Sequence, residues 1–166
     1  MRSISRHRPS GAGRIVLGIL GGHDKVDELI RGRPLVGGTA AGEALKSNEP
    51  LSFWGGYDHR DGTVIDRRHP LNGMSACGKI LGLPFTRGSS TTTAVLVESI
   101  KSGTAPAAVI CTRVDAFLSL AAIVADEMYG KRVPIVLVKR EDFEFLETGQ
   151  QIEILADGRI LIKGEL

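Results

Sequence analysis

Apolar positions change their spacing along the chain, and each change marks a different kind of element. From 33 to 84 they fall in short runs broken by Gly37-Gly38, Gly55-Gly56, Asp61-Gly62 and Asn72-Gly73, a punctuation that predicts short strands joined by tight turns. The strands so predicted lie near Pro34 to Val36, Ala41 to Lys46, Thr63 to Asp66 and Lys79 to Leu83. At Ser89 the pattern becomes helical: Ser89-Ser90-Thr91-Thr92-Thr93 leads into AVLVESIKSG, where Val95, Leu96 and Ile100 share a face and Gly103 can end the helix. Ala107 to Cys111 then reads as a buried strand, Asp115 as the cap of a helix through SLAAIVADEMYG, and Pro134 to Val138 as another buried strand. Strand, helix, strand, helix, strand implies right-handed crossovers and parallel strands covered by helices. Ile152, Ile154, Ile160 and Ile162 alternate around Asp157-Gly158, the signature of a β-hairpin. The fold class expected is α/β: a β/β/α sandwich or barrel-like domain with a mixed sheet, βαβ crossovers and a C-terminal β-hairpin.

Composition narrows the function classes. The chain has 166 residues, 42% hydrophobic and 24% charged, the balance of one soluble domain with one real core. Its 21 basic and 19 acidic residues leave a net charge of +2, too weak a field to draw in a phosphate backbone, which argues against nucleic acid. Arg2, Arg6, His7, Arg8 and Arg14 cluster before the apolar run Ile15 to Leu20. That run is shorter than the roughly 20 residues a membrane span needs, and no signal-type cleavage pattern follows it. Residues 1–29 therefore read as an N-terminal arm, mobile or docked on a partner, and 30–166 as the domain. Cys77 and Cys111 are the only cysteines. Neither belongs to a CxxC pair, which suits reduced thiols in a cytoplasmic protein. An iron–sulfur cluster asks for more thiolates than this chain can offer, so none is expected on this chain alone.

Candidate chemistry concentrates at LPFTRGSSTTT, residues 83–93, where a strand should turn into a helix. A helix start presents free N–H groups and positive dipole, so a substrate carboxylate can settle there without a metal. Gly88 allows close backbone approach and Arg87 can add a charge-assisted bond. The same field would favour a developing alkoxide on Ser89, the help a serine needs to act as a base. The competing explanation is an ordinary hydroxyl N-cap. A P-loop is excluded, because GxxxxGK[ST] is absent. The stretch PLSFWGGYDHRDGTVIDRRHPLNG, residues 50–73, packs Trp54, His59, His69 and several aspartates and arginines between glycine turns. Loops carry function on rigid scaffolds, although Trp54 could equally be core and the histidines solvated; the histidines form no zinc motif. Arg113 and Asp115 follow the AAVIC strand, where ligands of open α/β sheets gather; a capping Asp115 with a surface Arg113 is the alternative.

Three ordered stretches, PLSFWGGYDHRDGTVIDRRHPLNG, LPFTRGSSTTT and SGTAPAAVICTRVDAF, make the region from Arg33 to Val138 resemble the aconitase X small subunit, or swivel domain. The resemblance implies a swivelling domain over 30–166 and a hydro-lyase that is active only with a large subunit, which carries most of the active site and an iron–sulfur cluster. It implies that Ser89 removes a substrate proton; the residues themselves offer Arg87, Gly88, Ser90, His69 and Arg113 as the candidates for binding a small hydroxy acid. That acid is cis-3-hydroxy-L-proline in one branch of the family and mevalonate 5-phosphate in another. A non-catalytic assembly or regulatory subunit is the reading from a different class.

Overall fold

The computed structural model describes residues 14–15 and 26–163, with side chains from residue 29 onward. The chain forms β1 (Arg14–Ile15), β2 (Val26–Arg31), β3 (Arg33–Val36), β4 (Ala40–Lys46), β5 (Leu51–Ser52), the kinked turn α1 (Phe53–Gly56), β6 (Tyr57–Asp58) and β7 (Thr63–Val64). There follow β8 (Ile80–Gly82), β9 (Thr86–Arg87), α2 (Ser90–Ser102), β10 (Ala108–Cys111), α3 (Ala116–Tyr129), β11 (Ile135–Leu137), α4 (Arg140–Phe143), β12 (Gln151–Ile154) and β13 (Arg159–Lys163). The arm expected over 1–29 lies mostly outside the described residues, and its last residues enter β2.

One mixed sheet runs β1-β2-β13-β12-β4-β8-β10-β11-β3. Its centre, β4-β8-β10-β11, is parallel, joined by the two helical crossovers that the sequence predicts. The hairpin β12–β13 also forms as expected, with Ile152 opposite Ile162 and Ile154 opposite Ile160. Strand periodicity then sorts the apolar residues into two cores. Leu45, Leu81, Val109, Cys111 and Ile135 face the helices and meet Leu96 and Ile100 of α2 and Leu118, Ala121, Ala122 and Ala125 of α3. Ala44, Ile80, Ile110 and Val136 point the other way, toward Ile30, Ile152, Ile154, Ile160 and Ile162.

That second core exists because the sheet curls into a barrel. Only Gly32 separates β2 from β3, yet β2 pairs with β13 and β3 pairs with β11 at the opposite end of the sheet order. The two ends are halves of one bent strand. Gly32 donates its N–H to the Gly158 carbonyl at 3.1 Å. A Cβ at Gly32 would run into Val136 Cγ1 and come within 2.7 Å of Gly158 O, so the closure needs glycine there.

Candidate functional site

The LPFTRGSSTTT segment lies between two fixed points. On its first side Thr86 gives both its backbone N–H (2.9 Å) and its hydroxyl (2.6 Å) to one oxygen of the Asp115 carboxylate. The other carboxylate oxygen accepts the N–H groups of Phe117 and Leu118, each at 3.1 Å, and so starts α3. On its second side Thr93 donates its hydroxyl to the Phe117 carbonyl at 3.1 Å. A parallel two-strand contact, Leu51 beside Thr86 and Ser52 beside Arg87, holds the segment laterally, and the Arg87 guanidinium donates to the Pro50 carbonyl at 3.0 Å. Asp115 is thus a cap, as one reading of the sequence had it, and it also ties this segment to the start of α3.

Ser89 stands at the N-cap position of α2 in extended geometry, but its side chain makes no capping bond. Gly88 (φ +133), Ser89 and Ser90 are exposed. The first turn is closed from the backbone instead, Thr92 N–H bonding to the Ser89 carbonyl at 2.9 Å. The hydroxyl of Thr92 is fully buried and has no hydrogen-bond partner. The first turn of α2 holds no acidic residue, and Ser89 gives its N–H groups no side-chain cap.

Next to the segment, an open cleft of about 620 Å³ lies at the carboxyl ends of the parallel strands. Lys46 ends β4, Pro84 and Phe85 follow β8, Thr112 and Arg113 follow β10, and Arg140 and Phe143 belong to α4 after β11. Arg113 rests over the Phe85 ring at 4.7 Å and Lys46 over the Phe143 ring at 5.1 Å. Aromatic faces rather than carboxylates brace these two cations, so their charge remains available to an anion. Ser89 does not line the cleft; Phe85 and Pro50 connect the two. Lys46 and Arg140 were not among the expected site residues, because nothing local in the sequence links them to residues 83–93.

The residue 50–73 stretch is organised by turn chemistry. Asp58 pairs with Arg60 at 2.6 Å, and this arginine holds its carboxyl well below the usual carboxylate range. Asp61 accepts from Thr63 N–H and Asp66 from Arg68 N–H, both Asx turns. His69, expected to bind substrate, is 4% exposed and occupied on both sides: Nδ1 accepts from Leu71 N–H at 3.2 Å and Nε2 lies 3.1 Å from the Glu49 carbonyl. With both ring nitrogens engaged by backbone, His69 pins the loop and has no free face for a ligand. Trp54 is not core but 68% exposed. Phe53 and Tyr57 take the interior instead, their rings 4.9 Å apart. Tyr57 donates to the Thr104 carbonyl at 2.8 Å, and burial raises its phenol above the ordinary tyrosine range.

Among the described residues no group of three His, Cys, Asp or Glu side chains could hold a metal ion. Cys111 is buried, and its thiol is pushed up to about 12, first by burial and then by the Asp115 charge, which opposes the thiolate a cluster needs. Cys77 is exposed and stands apart. The donor set of the described residues does not fit an iron–sulfur cluster. No helix among them is long and apolar enough to cross a membrane.

Barrel, helix pair and exposed helix start together define a mixed α/β domain that offers a hydroxyl and uncompensated N–H groups on an open face. The family model for the aconitase X swivel domain matches residues 29–162, and the chain belongs to that family. It is similar to cis-3-hydroxy-L-proline dehydratase of Pseudomonas aeruginosa, 46% identical over 80% of this chain and 22% of the relative. The chain therefore spans about a fifth of that relative's length. It is 38% identical to the phosphomevalonate dehydratase small subunit of Thermococcus gammatolerans, over 77% of this chain and 92% of that one. Among solved structures, aconitase X of Thermococcus kodakaraensis (holo-form) superimposes with a TM-score of 0.72 at 34% identity, covering 81% of this chain and 97% of that one.

Proposed function

We propose that this chain serves as the small subunit of a hydro-lyase that removes water from a small hydroxy acid, with Ser89 as the proton-abstracting base. The observation that carries the reading is the Ser89 side chain, which sits at the cap position of a 13-residue helix without making the cap bond. An N-cap serine ordinarily spends its oxygen on the helix; this one is left for something else. The competing reading, a mere cap on a non-catalytic subunit, expects that bond.

In the reaction, Ser89 acts as its alkoxide, whose charge the N–H groups at the start of α2 stabilise. Its oxygen takes the proton on the carbon beside the substrate carboxylate, the C–H electron pair becomes the new C=C bond, and the C–O bond of the neighbouring hydroxyl breaks; the leaving hydroxide takes the serine proton and departs as water, which restores the alkoxide. Gly88 lets the carboxylate approach the backbone, and Arg87 and Ser90, both exposed beside it, supply charge-assisted and neutral hydrogen bonds. Arg113, on the cleft wall, adds positive field. His69 takes no part, for its nitrogens are engaged. The iron–sulfur cluster that the resemblance implies would belong to the large subunit and bring Lewis acidity there. A partner also suits the outer face of α3, where Phe117, Leu120, Ile123 and Met128 are exposed with Val114 just before them.

The preferred substrate is cis-3-hydroxy-L-proline, on the 46% identity to a dehydratase of that name. Mevalonate 5-phosphate is the second reading. One observation favours it: Lys46 and Arg113, braced by aromatic rings, line a cleft that could accept a phosphate, beside the Arg140–Glu144 ion pair on the same wall. Co-expression with the large subunit followed by assay of water loss from both acids tests the proposal. Turnover of one by the pair, and of neither by this chain alone, is expected; a pair inactive on every hydroxy acid tried would overturn it.

A further inference from the structure

Ser89 and Thr92 occupy the two positions of a capping box, the N-cap and the third helical residue, whose side chains normally bond reciprocally to each other's backbone N–H. Here neither bond is made. An exposed serine can turn to water, but the Thr92 hydroxyl is 0% exposed and without any partner. It lies directly beneath Gly88: a Cβ on that glycine would stand 2.8 Å from Thr92 Oγ1. A buried hydroxyl lacking a partner costs stability, and valine would fill the same volume without that cost.

We propose that Thr92 is the positioning residue for Ser89, a step that rests on Ser89 being the base. Its hydroxyl is reserved for the arrangement of the Gly88-Ser89 turn that forms around bound substrate. In that arrangement Thr92 Oγ1 accepts the Ser89 backbone N–H, completing half of the capping box and fixing the Ser89 oxygen toward the substrate carbon. The other half, Ser89 Oγ to the Thr92 N–H, stays unmade, because that N–H is committed to the Ser89 carbonyl. Gly88 is the hinge: its φ of +133 is one that other residues rarely adopt, and its missing side chain gives the hydroxyl room.

The test uses the assembled two-subunit enzyme carrying Thr92→Val and Thr92→Ser, with kinetics on its hydroxy acid and melting of the isolated variant chain. Thr92→Val should lower kcat about tenfold, the worth of one hydrogen bond in the transition state, while KM stays within about twofold. Its melting temperature should equal or exceed that of the wild type, and Thr92→Ser should recover most of kcat. A Thr92→Val enzyme with unchanged kcat, or a Thr92→Ser enzyme as slow as the valine variant, would overturn the proposal. Ser89→Ala run in parallel separates the two failures. If it turns over normally, the base reading falls and this one with it; if it is dead while Thr92→Val is fully active, only the role of Thr92 falls.

Discussion

The two long helices begin side by side and are started in opposite ways. Asp115 engages four donors at the head of α3 and beside it, two N–H groups of the helix and both polar groups of Thr86. At the head of α2, Ser89 makes no capping bond and Thr92 keeps a buried hydroxyl without a partner. One start is built to hold and the other is held by its neighbour, because the Asp115–Thr86 bonds fix the strand that delivers Ser89. Polar satisfaction concentrated in one place permits its absence in another, and the unsatisfied place is where chemistry is expected.

Replacing each element of this contrast should give effects of descending size. Asp115→Ala removes a cap and two further bonds at once and should cost about 2–3 kcal/mol in denaturant unfolding of the chain. If the loss were no greater than for a surface alanine, the anchoring role would be wrong. Gly88→Ala forces a side chain into a positive-φ position against Thr92 Oγ1 and should cost about 1–2 kcal/mol, read in the same way. Ser89→Ala should change stability by less than about 0.5 kcal/mol, where a working serine cap loses about 1; a full loss would mean that Ser89 caps in solution. The effect confined to alkaline pH concerns the thiols. Cys111, raised from 9.0 to about 12, should resist a thiol reagent at pH 8 in the native chain while Cys77 reacts. The sign for stability follows. A native thiol that keeps its proton more tightly than the unfolded one favours the fold fully below about pH 9, and that contribution drains away as pH rises from there toward 12. Comparing alkaline unfolding of Cys111→Ala with wild type would reveal it.

Much of this was legible in the sequence where the signals are local. The Asp157-Gly158 turn, the alternating isoleucines beside it, the Gly103 stop and the Asp115 cap each rest on neighbours within a few residues, and each element forms as expected. The barrel closure was not specified locally. It depends on Gly32 meeting Val136 and Gly158, a pairing across most of the chain that periodicity does not report. The site divides in the same way. Residues 83–93 announce a helix start, but the pairing of Leu51-Ser52 with Thr86-Arg87 and the arrival of Lys46 and Arg140 beside Arg113 are products of topology. The residue 50–73 stretch misled in the other direction. Its density of Asp, Arg and His suggested ligand binding, whereas Asp58, Asp61, Asp66 and His69 are occupied in forming its own turns.

Turnover of the assembled enzyme carrying Ser89→Ala, with the subunits shown still to co-purify, tests the central claim most directly. The loss of a positioned base predicts a fall in kcat of about 10³-fold in a complex that remains intact. Activity within a few-fold of wild type would contradict the account and return Ser89 to the ranks of ordinary surface hydroxyls.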